Sequence, residues 1–129
     1  MALRKIAMDT NIAIEVLNNN AATIASLNQF DLIFLPVTVC GELLFGARNS
    51  SRVLYNLPRY EAFIADCEIL NTVETVASEY STIKKHLKES GNPIPENDIW
   101  IAAICVVYDM PLFTRDGHFK SIPGLRLLI

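Results

Sequence analysis

Asp9, Glu42, Asp98 and Asp116 lie far apart in a chain of 129 residues, yet each follows or opens an apolar element. Carboxylates gathered without balancing charge repel one another, and hard divalent cations of the Mg²⁺ or Mn²⁺ kind remove that conflict by taking oxygen ligands. Such an ion also brings substrate phosphate oxygens with it. Zinc fits less well, because His86, His118, Cys40, Cys67 and Cys105 fall at no ligand spacing. Each acid has a plainer reading. Asp9, Thr10 or Asn11 can cap a helix, Asp98 at a helix start is favoured by the dipole, and Asp116 before Gly117 is ordinary turn chemistry. Glu42 resists this, since Leu43-Leu44-Phe45 follows it and an unpaired carboxylate there carries a desolvation cost. No Lys or Arg lies within four positions of it, which leaves backbone groups, distant basic residues or a cation.

The elements that would position these acids alternate in type. Ile6-Ala7-Met8, Leu32 to Leu35, Cys67 to Leu70 and Met110 to Thr114 are short apolar runs that read as buried parallel strands. Leu125 to Ile129 could add an edge strand. Between them lie helical patterns: Ile12 to Leu17, Ala21 to Leu27, a segment through Ala47 with Thr38 as cap, and Ser51 to Asp66 with a break expected at Pro58. The longest covers Thr72 to Glu89 and is stopped by Gly91; the last starts at Asn97 and is apolar nearly all round, hence buried. Pro93 and Pro95 hold the connector between these two extended. Strands alternating with helices predict an α/β fold with a central parallel sheet of four to five strands flanked by helices, as one domain over 1–129. Right-handed crossovers start every helix at the sheet's carboxyl edge, so all four acids are expected to project there, where open sheets bind ligands.

Composition bounds the function. Eleven basic against fourteen acidic residues give a formal net charge of -3, so bulk charge does not grip nucleic acid; local basic residues or bound cations must. Mean hydropathy is +0.28, yet no uninterrupted apolar run reaches about 18 residues, and no membrane partner is expected. No apolar segment of signal-peptide length follows the first residues, which points to the cytoplasm. The three cysteines, each among apolar residues, read as core thiols.

Asp9-Thr10-Asn11, Gly41-Glu42-Leu43 with Gly46 four residues after the acid, Asn97-Asp98 before Ile101-Ala102-Ala103, and Thr114-Arg115-Asp116 closing with Phe119 resemble the PIN-domain nucleases. The likeness is greatest to VapC-type toxins of bacterial toxin–antitoxin pairs and covers essentially the whole chain. The resemblance implies a PIN-like, Rossmann-like three-layer fold and Mg²⁺- or Mn²⁺-dependent endoribonuclease activity, commonly on tRNA or rRNA. It also implies a homodimer, and a cognate VapB-like antitoxin whose tail enters the active-site groove. Carried over by position, Asp9, Glu42, Asp98 and Asp116 match the family's acidic quartet, and Asn11 and Thr114 its supporting polar positions. Ala7 stands where a bulkier apolar residue is usual, and the role of Glu96 is not settled by the pattern.

The expected chemistry is metal-assisted phosphodiester hydrolysis, with Asp9, Asp98 and Asp116 as ligands and Glu42 either ligating through water or orienting the nucleophile. Arg48, Arg52, Arg115 and the Lys84-Lys85-Lys88 cluster are candidates for RNA phosphates, against the plainer reading of solvated helix faces. His86 is expected to face solvent or to pack; His118, just past Asp116, is open between packing and a role at the site. Two rivals stand beside this reading: a non-catalytic PIN-like module that binds RNA or protein, and a nuclease of the same mechanism acting on DNA.

Overall fold

The computed structural model describes residues 2–129. The chain runs β1 (Lys5–Met8), α1 (Thr10–Leu17), α2 (Ala21–Leu27), β2 (Leu32–Pro36), α3 (Val37–Arg48), α4 (Val53–Ala65), β3 (Glu68–Leu70), α5 (Glu74–Glu89), α6 (Glu96–Val107), β4 (Leu112–Phe113) and β5 (Leu127–Leu128). A short 3-10 turn, Gly117–Ser121, precedes β5. The five strands form one sheet in the order β3-β2-β1-β4-β5, and every pairing is parallel. The α/β fold with a central parallel sheet is therefore present, with the fifth strand included.

β1 lies at the centre because it is the strand most fully buried: Ile6, Ala7 and Met8 all belong to the core. Its register sets Ala7 between Phe34 and Leu112, and Met8 beside Phe113. The chain winds from β1 through β2 to β3 and then returns to the other side of β1 as β4, so the direction of winding reverses between β1 and β4. That reversal opens a crevice at the carboxyl ends of those two strands, where such sheets take ligands. The ladder continues one step past the strands: the Asp9 amide donates to the Phe113 carbonyl at 2.9 Å, which puts Asp9 beside Thr114.

Helix α6 fulfils its pattern, burying Ile99 and the run Ile101 to Cys105 against the sheet. Helix α5 shows the core only one stripe, Val76, Ile83 and Leu87. It ends before Gly91, whose φ of +70° is a left-handed conformation that glycine adopts without strain.

Three expectations need correction. Helix α4 does not break at Pro58 but runs unbroken from Val53 to Ala65. Pro58 sits in its second turn, and the carbonyl left without a donor belongs to Leu54, which is 95% exposed and open to water. Thr38 does not cap α3: that helix starts at Val37 with Pro36 in the cap position and no side-chain cap hydrogen bond. A proline ending β2 already presets the turn, so no cap is required there. Helix α6 begins at Glu96 rather than Asn97, which sets Asp98 third in the helix.

Because Ala7 is fully buried between two large neighbours, the central strand has no room for a longer side chain. Ala7→Leu is expected to lower stability by about 1–3 kcal/mol through overpacking, read as a lower midpoint in urea unfolding with an unchanged slope.

Candidate active site

Local structure delivers each acid separately. Asp9 ends β1 and caps α1, its Oδ1 accepting the Thr10 amide at 2.8 Å. Its Oδ2 accepts the Thr114 hydroxyl at 2.6 Å. The capping reading and the site reading thus use different oxygens of one carboxylate. Only 3% of Asp9 is exposed, and Thr114 is fully buried beneath it. Thr114 Oγ1 also accepts the Asp116 amide at 3.0 Å, so one hydroxyl fixes two of the four acids.

Glu42 projects from the second turn of α3, and its Oε2 accepts the Thr10 hydroxyl at 3.0 Å. Its Oε1 is buried without any hydrogen-bond partner. Asp98, in the first turn of α6, has Oδ2 at 2.8 Å from His118 Nε2. Ligand atoms of Asp98, Asp116 and His118 lie within 4.8 Å of one another. Asn11 joins the last acid to α1: its Nδ2 donates to Asp116 Oδ2 at 3.4 Å, and its Oδ1 accepts the Arg115 amide at 3.3 Å.

The electrostatics follow from that crowding. Burial pushes the Asp9 carboxyl above its usual range, and the nearby Asp98 and Asp116 charges add to the rise against the opposing hydrogen bonds of Thr114 and Thr10. Burial likewise raises Glu42, with Asp9, Asp98 and Asp116 contributing. Asp98 is raised first by burial and also by Asp116, while His118 pulls the other way. All four sequence-predicted acids therefore feel one another across the crevice. The tightest set is nevertheless Asp98, Asp116 and His118; Asp9 and Glu42 stand further back, held by hydroxyls.

Oxygen-rich donors, acids held toward protonation by burial first and by their neighbours' charge second, and a buried carboxylate oxygen with nothing to bind fit a hard divalent cation better than they fit an apolar or structural role. Asp98 and Asp116 could hold it with Asp9 and Glu42 behind them.

The remaining predicted residues are placed as follows. Arg115 spends its guanidinium on Glu15, Nε to Oε2 at 3.1 Å and Nη2 to Oε1 at 2.9 Å, with Thr23 Oγ1 accepting at 3.2 Å. This fork ties the loop that carries Asp116 to α1 and α2. Lys84 pairs with Glu96 at 3.1 Å, which accounts for Glu96 as an exposed α5–α6 link; Lys85 pairs with Glu89 at 3.6 Å. Lys88 and Arg48 are exposed, and Arg52 lies over the Tyr55 ring at 4.3 Å. His86 faces solvent. Sequence reasoning leaves His118 open and gives Thr10 no role beyond capping and its place in the Asp9-Thr10-Asn11 motif. The signal for His118 was its position two residues after Asp116; no local signal could pair Thr10 with Glu42.

A parallel five-stranded sheet with acids converging at its switch point defines the class. The chain belongs to the PIN domain family, whose model matches residues 6–125. Within that family it is similar to VapC proteins. It is 29% identical over 126 residues to the tRNA(fMet)-specific endonuclease VapC of Shigella flexneri, covering 95% of each chain. It is 34% identical over 102 residues to the Ribonuclease VapC2 of Haemophilus influenzae, covering 77% of this chain and 76% of that one. Among solved structures, the DNA-bound VapBC of Salmonella typhimurium superposes with a TM-score of 0.88 at 25% identity over 98% of both chains.

Two outcomes follow from the site's physics. Burial makes folded Glu42 hold its proton more tightly than the unfolded chain does, so its contribution to stability is full below the unfolded carboxylate range and drains away as pH rises through the raised value. Glu42→Gln is therefore expected to melt higher than wild type at about pH 7 without metal, and to lose that advantage near about pH 3, where the carboxyl is protonated in both states. Thermal melts at the two pH values check this. Thr114→Val strips a buried carboxylate and a buried amide of their shared hydroxyl, and is expected to cost about 1–3 kcal/mol in chemical unfolding at neutral pH.

Proposed function

We propose that this chain is the toxin of a VapBC-type toxin–antitoxin pair: a Mg²⁺- or Mn²⁺-dependent endoribonuclease that hydrolyses phosphodiester bonds of tRNA or rRNA in the cytoplasm. The observation that carries the reading is the orphaned, buried Oε1 of Glu42 at an edge where four carboxylates meet. The VapC relatives, named as a ribonuclease and as a tRNA(fMet)-specific endonuclease, support the same class of substrate.

Asp98 and Asp116 would hold the cation, with Asp9 behind them at the end of β1 as a further oxygen ligand. When bound, a divalent cation supplies acidification of water toward neutral pH and neutralisation of charge on the phosphoryl oxygens. The chain's own residues do the rest. Thr114 orients Asp9 through Oδ2 and, by accepting the Asp116 amide, fixes the spacing of those two acids. Thr10 pins Oε2 of Glu42, which fixes this carboxyl at the edge of the crevice to ligate through water or to orient the nucleophile. Asn11 steadies Asp116 from the other side. His118, in the tautomer with its proton on Nε2, donates to Asp98 and keeps that carboxylate turned into the crevice.

RNA phosphates meet Arg48, Arg52 and the Lys84, Lys85, Lys88 ridge. The ion pairs of Lys84 and Lys85 are exposed and worth little, so exchanging them for phosphate costs little. Arg115, already clasped by Glu15, serves instead by holding the Asp116 loop. The protein partners are a VapB-like antitoxin and a second copy of the chain. The exposed Leu54 and Tyr55 of α4 offer apolar surface suited to such contacts. No helix among the described residues is long and apolar enough to cross a membrane.

The test is cleavage of RNA and of DNA by purified protein with Mg²⁺, with Mn²⁺ and with chelator. Metal-dependent scission of RNA, abolished in Asp9→Asn and in Asp98→Asn while circular dichroism stays unchanged, is expected. Cleavage undiminished in those variants would remove the acids from the mechanism, and scission of DNA alone would replace the substrate. Metal at about 100 times its dissociation constant should also raise wild-type stability by roughly 2.7 kcal/mol, with a smaller rise in Asp98→Asn.

A further inference from the structure

Helix α3 carries a second stripe besides the one it buries. Val39, Cys40, Leu43 and Ala47 face the core, whereas Thr38, Gly41, Glu42 and Phe45, spaced three and four apart, share another face. These four residues, with Asn97 from the first turn of α6, line a cleft of about 350 Å³. Glu42 is common to the cleft and the acidic crevice, so whatever occupies the cleft abuts the reacting centre. Phe45 is 68% exposed, an unusual cost for a phenyl ring beside an active site. A Cβ built on Gly41 meets nothing within 4 Å, so the glycine leaves the floor of the cleft open.

The lining selects the kind of group that fits. Its single charge is the Glu42 carboxylate, which repels phosphate; its other members are a phenyl face, a hydroxyl and a carboxamide. The matching ligand is flat, uncharged and edged with donors and acceptors. We infer that this cleft is a nucleobase subsite, in which a base flanking the scissile phosphate stacks on Phe45 and has its edge read by Thr38 and Asn97. The inference rests on the ribonuclease reading and assigns to that site a means of choosing where RNA is cut. Stacking on a phenyl face tolerates any base, and the hydroxyl and carboxamide supply the discrimination.

Two experiments test it. In the first, wild type, Phe45→Ala, Phe45→Tyr and Gly41→Leu cleave a short RNA randomised around its cut site. Phe45→Ala is expected to raise KM about ten- to a hundredfold with kcat little changed and to flatten the base preference. Phe45→Tyr restores both, and Gly41→Leu, filling the cleft while favouring the helix, reproduces the alanine effect. In the second, fluorescence anisotropy follows RNA binding in an Asp9→Asn background. Phe45→Ala should weaken binding by a similar factor for intact RNA and have no effect for RNA lacking the flanking base. Unchanged KM and preference in Phe45→Ala, or equal losses with and without that base, would overturn the subsite while leaving the nuclease standing. Retained RNA binding in Phe45→Ala with loss of a co-purifying antitoxin would also overturn it, and would give the face to the protein partner. If wild type cleaves no RNA, the nuclease reading fails and the subsite falls with it, an outcome distinct from wild-type cleavage that Phe45→Ala leaves unchanged.

Discussion

Like charges forced together in a medium poorer than water in screening are the constraint around which this molecule is built. Asp9, Glu42 and Asp98 are each shifted upward by burial and by neighbouring acids, and among the described residues no lysine or arginine pairs with any of the four acids. What holds them is a set of neutral donors. Thr10, Thr114 and Asn11 fix oxygens in place without cancelling charge. His118 Nε2 lies 2.8 Å from Asp98 Oδ2. The arrangement preserves a negative field for a cation at a cost in stability, the exchange expected of a functional site.

That cost is supportable because the framework beneath is apolar and tightly registered. Ile6, Ala7 and Met8 are packed on both faces, and the pairing of Met8 with Phe113 leaves no freedom in where Asp9 meets Thr114. The loop bearing Asp116 lacks such a ladder, and the Arg115–Glu15 fork supplies the restraint instead. Basic residues here thus fall into two groups. Arg115 is structural and bound within the fold, whereas the lysines of α5 stay on the surface with pairs that water already weakens.

The same helix that positions Glu42 shapes the space beside it. Because a helix turns through a full circle every three to four residues, a single segment can bury Leu43, aim Glu42 and expose Phe45. On the proposed reading, specificity and chemistry share one rigid element, which keeps their spacing constant.

Much of this was legible in the sequence because strands and helices declare themselves through local apolar period. The runs at Ile6-Ala7-Met8 and Leu32 to Leu35, the all-round apolar pattern of α6 and the alternation of types led directly to a parallel sheet with four acids at its carboxyl edge. Pro58 misled, since a proline in an early helical turn at a solvent-facing position costs little. Thr38 misled, since a cap is needed only where the backbone does not already turn. Contacts between residues distant in the chain had no sequence signal: Thr10 with Glu42, Thr114 with Asp9, His118 with Asp98, and Arg115 with Glu15. Local pattern determined which residues would be acids on an edge, because periodicity acts within a few residues. Only the tertiary structure decided how far apart those acids stand and which oxygen remains unsatisfied, because such distances are set by strand register and helix packing across the whole fold.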